Sequence, residues 1–291
     1  MFEDFSVGSA SPEGVSIHYR KGGAGPPLLL LHGYPQTHAM WHKIAPRLAQ
    51  RFTVVCPDTR GYGASGKPVA DAEDMVYSKR TMAKDMASLM RGLGFDKFSV
   101  CGHDRGARVA YRLALDHPDA VQKLCVLDIL PTYSTWRRME KGLALGMYHW
   151  QFLAQGGGLP EKMLGADPDY YLLEKLKRWS KDFSAFAPEA LEAYKVAFRD
   201  PASIAATCAD YRAGATADDA IDGEDFGRRK IVAPTLVLWG EGGLARRVDD
   251  PLAIWRQWAI EVSGHALKCG HFLPEEAPDA TAAALEEFLG P

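Results

Sequence analysis

The stretch Val100-Cys101-Gly102-His103-Asp104-Arg105-Gly106-Ala107-Arg108 decides how the chain is read. Its apolar beginning predicts a buried strand, Gly-x-Asp-x-Gly a sharp turn, and the residues beyond it a helix. Glycines on both sides of Asp104 allow close backbone packing around a strained turn, which leaves the central side chain exposed at the top of a sheet. A serine at that point would attack an acyl carbon and would need a base to deprotonate it. A carboxylate is already ionised at pH 7 and can displace a leaving group from a saturated carbon, giving an enzyme ester. The plainer role for such an aspartate alone is that of a helix N-cap.

Working outward, strands and helices alternate around this turn. A short segment near 5–7 and the alternating Val15-Ser16-Ile17-His18-Tyr19 predict an opening hairpin. Leu28-Leu29-Leu30-Leu31 is a continuous apolar run of the kind found in central parallel strands, and it ends at the loop His32-Gly33-Tyr34-Pro35. A helix over 41–50 and a strand over 52–56 follow. The glycine-rich stretch 58–66 lacks a Gly-Lys-Ser/Thr ending and starts no helix, which argues against a phosphate cradle. Met82, Met86, Leu89, Met90 and Leu93 stand at helical spacing and predict a core-facing helix over 78–93. Strands are expected over 97–103 and 121–127, with a helix over 105–115 between them. This alternation implies a mostly parallel, doubly wound α/β sheet with right-handed crossovers.

The rhythm breaks after Pro131. Residues 132–225 read as helices rich in Trp, Tyr and Met, and the strand pattern resumes only at Pro234-Thr235-Leu236-Val237-Leu238-Trp239-Gly240. The expected organisation is a core of residues 1–131 and 226–291, with a helical cap of residues 132–225 inserted after the sixth strand. Such a cap covers the carboxyl edge of the sheet, where open α/β sheets bind ligands. A helix over 251–258, a last strand over 259–262, a loop carrying Cys269-Gly270-His271-Phe272 and a helix over 277–289 complete the chain.

Composition narrows the function classes. At 291 residues with 47% apolar content, one large domain with an insertion has ample core. Lys and Arg number 34 against 37 Asp and Glu, and no basic block or acidic tail invites nucleic acid or a membrane surface. The longest apolar run is far shorter than the roughly 20 residues that span a bilayer. Met1-Phe2-Glu3-Asp4 opens acidic, unlike a secretory signal, so a cytoplasmic location is expected. Cys56, Cys101, Cys125, Cys208 and Cys269 are scattered without a C-x-x-C, which predicts buried thiols rather than disulfides or metal ligands. No metal and no organic cofactor are expected.

Three chemical groups fall in order along the chain. They are Asp104 on the turn, Asp128 after the next strand, and His271 in the last loop, each at the carboxyl end of a predicted strand. Nucleophile, acid, histidine is the order of the α/β-hydrolases, whose nucleophile elbow the opening stretch matches with Asp in place of Ser. The rival position for the acid, after the 236–239 strand, offers only Glu241.

The chain resembles α/β-hydrolases of the haloalkane dehalogenase and epoxide hydrolase group, and more narrowly the fluoroacetate (haloacetate) dehalogenases. The similarity is carried by His32-Gly33-Tyr34-Pro35-Gln36-Thr37, by 58–65, by Gly102 to Arg108, by Val126-Leu127-Asp128-Ile129-Leu130-Pro131-Thr132, and by Cys208-Ala209-Asp210-Tyr211-Arg212-Ala213-Gly214-Ala215-Thr216. The Asp-Arg-Gly-Ala-Arg and Asp-Tyr-Arg-Ala-Gly-Ala blocks are the specific ones. The resemblance implies a homodimer and a small haloacid substrate. Asp104 would attack the α-carbon of the acid, and His271, oriented by Asp128, would activate the water that hydrolyses the ester. The backbone N–H groups of Tyr34 and Arg105 would form the oxyanion hole.

Arg105 and Arg108 lie three apart on the elbow helix and share one side of its first turn. An anionic substrate meeting an anionic nucleophile is repelled by roughly 4 kcal/mol at about 4 Å and an effective dielectric near 20. Two guanidinium groups offset that repulsion, and a planar fork suits a carboxylate. In the family, His149, Trp150 and Tyr211 match a halide pocket. Read without the resemblance, Trp150 and Tyr211 are as well explained as core of the cap. An epoxide hydrolase with the same nucleophile is the nearest alternative, marked by two cap tyrosines over Asp104 and no use for Arg105. A non-catalytic ligand receptor on the same fold is the remote one.

Overall fold

The computed structural model describes residues 1–243 and 250–290. Eight strands form one sheet in the order β1-β2-β4-β3-β5-β6-β7-β8. They are β1 (Ser6–Ala10), β2 (Ile17–Gly22), β3 (Pro27–Leu31), β4 (Thr53–Pro57), β5 (Phe98–His103), β6 (Val121–Leu127), β7 (Thr235–Gly240) and β8 (Val262–Leu267). β1 and β2 run antiparallel at one edge, and β4 through β8 are joined by parallel pairings. Leu28 to Leu31 are fully buried because β3 lies between β4 and β5 with helices on both faces.

Two elements differ from their sequence reading. The helix expected over 41–50 is a 3-10 turn, His38–Trp41, followed by a short helix, Ala45–Leu48. Pro46 has no N–H to donate and fits only the first turn of a helix, so a new helix starts around it. The last strand lies over Val262–Leu267 rather than 259–262, and Ala259 forms only an isolated bridge with Ile231. Its Ser-Gly-His core carries little strand signal because β8 is a half-exposed edge held by backbone pairing to β7.

The elbow joins β5 to the helix Arg105–Asp116. Asp104 takes φ 47° and ψ −118°, a conformation that costs a non-glycine residue about 1–3 kcal/mol. Glycine on each side makes it possible. A Cβ on Gly102 would sit 2.5 Å from the Gly106 carbonyl oxygen, and one on Gly106 would sit 2.2 Å from the His32 carbonyl oxygen. Asp104 occupies the N-cap position without making a side-chain capping bond, so its carboxylate is left for other partners.

Between β6 and β7 the described chain forms only helices, among them Tyr148–Leu153, Pro168–Trp179, Pro201–Ala215 and Ala217–Asp225. The Asp167 and Asp200 side chains cap two of these, each followed by a proline in the first turn. The last is fixed to the elbow helix by Tyr111 Oη donating to Asp222 at 2.6 Å and Arg112 donating to Asp225 at 2.5 Å. Among the described residues no helix is long and apolar enough to cross a membrane. All five cysteines are buried and free.

Candidate active site

Asp104, Asp128 and His271 meet at the carboxyl end of the sheet. His271 Nδ1 lies 2.6 Å from Asp128 Oδ2, and the Gly240 N–H donates to Asp128 Oδ1 at 3.1 Å. That contact fixes the ring, with Nδ1–H toward the carboxylate and Nε2 pointing 3.8 Å from Asp104 Oδ2. Glu241, the rival acid, is exposed. The Tyr34 N–H donates to Asp104 Oδ1 at 2.9 Å, and the Arg105 N–H opens its helix with no intrahelical acceptor. The two carboxylate oxygens are therefore unlike: Oδ1 accepts from the Tyr34 N–H and Oδ2 faces the histidine.

Burial alone would lower the His271 pKa, yet the bond and charge of Asp128, followed by the charge of Asp104, raise it above 6.5. Burial alone would raise that of Asp104, but His271, His103, Arg108 and Arg105 hold it below the usual carboxylate value. His103 was not singled out in the sequence. It is buried, its Nε2 donates to the His271 carbonyl at 2.8 Å, and its pKa falls to about 4 through burial and the charge of His271. A neutral ring here braces the histidine loop. A lone histidine inside an apolar strand gives no signal of that.

The two arginines are buried beside the elbow in different states. Arg105 spends its fork on Asp210, with Nε to Oδ2 at 3.0 Å and Nη2 to Oδ1 at 2.5 Å, and its Nη1 has no partner. Arg108 donates from Nη1 to the Leu130 carbonyl and the Thr132 hydroxyl, while its Nε and Nη2 are buried without partners. No carboxylate pairs with Arg108 among the described residues. The sequence reading missed Asp210 as a functional group, although it stands inside the quoted Asp-Tyr-Arg block. It also accepts from Tyr62 Oη at 2.7 Å and from Lys79 Nζ.

Arg108 at 0% exposure is a buried cation that stability alone does not favour. Arg108→Met is accordingly expected to melt no lower than the parent. Calorimetry checks this, and a clearly lower melting temperature would show that the Arg108 bonds to Leu130 and Thr132 outweigh the cost of burying its charge.

Side chains from the helices between β6 and β7 and from the loop after β3 converge on the same place. Tyr34 stacks on His149 at 6.4 Å between centroids, and Tyr211 packs edge-on to Tyr34, His149 and Trp150. Arg105 lies 4.3 Å over the Tyr211 ring and Arg108 4.4 Å over that of Trp150. The His149 Nδ1 and Tyr211 Oη atoms are buried and unbonded. Burial, then the charge of Lys175, keeps His149 well below 6.5 and hence neutral. A cavity of about 470 Å³ of empty space, its mouth included, is lined by Asp104, His149, Trp150, Trp179 and His271 among others. Arg105, Arg108 and Tyr211 are not among its lining residues.

An aspartate on an elbow, oriented by backbone donors and facing a His–Asp pair under a helical roof, defines a hydrolase of the α/β type. Residues 26–278 match the alpha/beta hydrolase fold family, and the chain belongs to it. It is 45% identical over 290 residues to the fluoroacetate dehalogenase of a Burkholderia species, covering 99% of this chain and 95% of that protein. It is 34% identical over 287 residues to the soluble epoxide hydrolase of Corynebacterium sp. (strain C12), covering 96% and 95%. The crystal structure of ALR0039 from Nostoc sp PCC 7120 matches with TM-score 0.98 at 54% identity, over 99% of both chains.

Proposed function

We propose that the protein hydrolyses small 2-haloacids, converting a haloacetate to glycolate and halide through an ester on Asp104. The observation that carries this reading is the buried Arg105–Arg108 pair on the elbow helix, whose charges act on the Asp104 carboxylate and which keeps N–H groups without partners. A small planar anion satisfies them, whereas a neutral substrate leaves them unpaired. The 45% identity to a fluoroacetate dehalogenase supports the same substrate class.

In the first step Asp104 Oδ2 attacks the α-carbon in line, forming a C–O bond as the carbon–halogen bond breaks. The halide leaves toward His149, Trp150 and Tyr211, the last with a buried, unbonded hydroxyl. Hydrogen bonds to a charged acceptor contribute about 1.5–3 kcal/mol each, which matters most for a strongly hydrated ion such as fluoride. In the second step His271 Nε2 takes a proton from water, and the hydroxide attacks Asp104 Cγ. The resulting oxyanion on Oδ1 is met by the N–H groups of Tyr34 and Arg105. Collapse returns the electrons to the carboxylate, and the departing alkoxide takes the proton from His271. Residues 132–225 act as the cap in this reading. The reading includes a homodimer, on the dehalogenase resemblance alone, and a cytoplasmic location, on the composition of the chain.

The second reading, epoxide hydrolysis, rests on Tyr211 Oη and the 34% identical relative. One assay separates the two. Fluoroacetate and chloroacetate are expected to yield free halide at an ion-selective electrode, with no diol from a panel of epoxides. Epoxide turnover without halide release overturns the proposal.

A further inference from the structure

Lys175 lies on the helix Pro168–Trp179 and is only 2% exposed. No carboxylate pairs with it among the described residues, which is unusual for so deeply buried a lysine. Aromatic rings surround its ammonium instead. Nζ stands 3.8 Å from the Tyr148 ring centre, 5.0 Å from that of Tyr171 and 5.5 Å from that of Trp179, and it donates to Tyr148 Oη at 2.5 Å. Two of these rings also wall His149: Trp179 at 4.6 Å and Tyr148, edge-on, at 6.3 Å. The lysine is thus separated from His149, and from the cavity that Trp179 lines, by one aromatic layer.

We propose that Lys175 is a positioning residue for the departing halide, placing a positive charge behind the His149–Trp179 wall of the cavity. This rests on the dehalogenase reading and assigns a role to a residue outside the expected pocket. Aromatic faces hold an ammonium without neutralising it, as a carboxylate would, so its field reaches into the cavity. The same charge disfavours protonation of His149, which therefore offers an N–H to the halide without becoming a cation that traps it. Burial, then the charge of Arg178, brings the lysine down to about 7, so it loses its charge near neutrality. The groups facing the ammonium are Tyr148 from the helix Tyr148–Leu153 and Tyr171, Arg178 and Trp179 from its own helix. Those facing His149 are Lys175, Asp104, His271 and Arg105. Below about pH 7 the lysine is charged and holds the halide; above it the charge is lost and the halide escapes.

The test uses bromide as the probe, read by quenching of tryptophan fluorescence, in a His271→Gln background so that the histidine does not titrate. With Lys175 present, bromide is expected to bind roughly tenfold more tightly at pH 6 than at pH 8.5. Lys175→Met should bind weakly at both pH values, and Lys175→Arg tightly at both, because a guanidinium keeps its charge. Thermal melts confirm that each variant is folded. A Met variant with the parent's pH dependence, or an Arg variant as weak as Met, overturns the proposal. Halide release from haloacids by the wild-type enzyme is scored separately, so failure of the dehalogenase reading is distinguishable from failure of this one.

Discussion

A His271→Gln variant is expected to release about one equivalent of halide per active site and then stop. Displacement needs only the carboxylate of Asp104, whose Oδ2 faces His271 while Oδ1 is held by the Tyr34 N–H. Hydrolysis of the proposed ester needs a base, and the 2.6 Å contact with Asp128 orients His271 for that part. Removing it should slow turnover by at least about 10³-fold while leaving the first step largely intact. Mass spectrometry of the peptide carrying Asp104 should then find it carboxymethylated after reaction with a haloacetate. Wild-type enzyme given one turnover in oxygen-18 water should carry label in Asp104, because water attacks the enzyme's own carboxyl carbon. Label confined to glycolate, or a His271→Gln variant with no burst, would sink the ester mechanism.

The same histidine sets the pH dependence. Its pKa is raised above 6.5, chiefly because Asp128 outweighs burial. It works as a base only when neutral, so turnover limited by hydrolysis rises with pH through a limb lying above 6.5. Stopped-flow traces of ester decay would locate that limb.

The second large effect is on stability. Asp210→Asn is expected to cost about 3–5 kcal/mol, lowering the melting temperature by on the order of 10 °C. The residue is fully buried and compensates Arg105 and Lys79, and it also accepts from Tyr62. Asparagine keeps the volume and removes the charge, leaving two buried cations without that anion. Burial would raise the Asp210 pKa, but Arg105 and Lys79 draw it well below the usual 3.8. Stability from a depressed carboxylate is present above its unfolded value and lost as pH falls. The gap between parent and variant should therefore be widest near neutrality and close as the pH drops below about 4. Calorimetry across that range checks both magnitude and sign. A variant that melts with the parent at pH 7 would show that the cluster is not a structural hub. Because Arg105 loses its orienting partner, the haloacid KM should rise as well.

Each of these expectations uses information of two kinds. The succession of strands and helices along the chain and the elbow at Asp104 were legible in the sequence, and Asp128 and His271 stood out in it as candidates. Those signals are local: a glycine that only close backbone approach explains, an apolar run that only a buried strand explains, a carboxylate at a strand's end. It misplaced β8 because an edge strand of Ser, Gly and His is held by backbone pairing rather than by an apolar face. It also joined 41–50 into one helix where Pro46 permits only a fresh start. How charge is shared among residues far apart in the chain emerges only from the folded arrangement. Arg105 and Arg108 look alike three residues apart, yet Asp210 from the helix Pro201–Ala215 takes the fork of one, and no carboxylate among the described residues pairs with the other. Lys175 and Tyr148 are 27 residues apart, and nothing along the chain announces that an ammonium will rest on that ring. Local chemistry is written in neighbouring residues, but the field in a buried site is the sum over everything the fold brings near it.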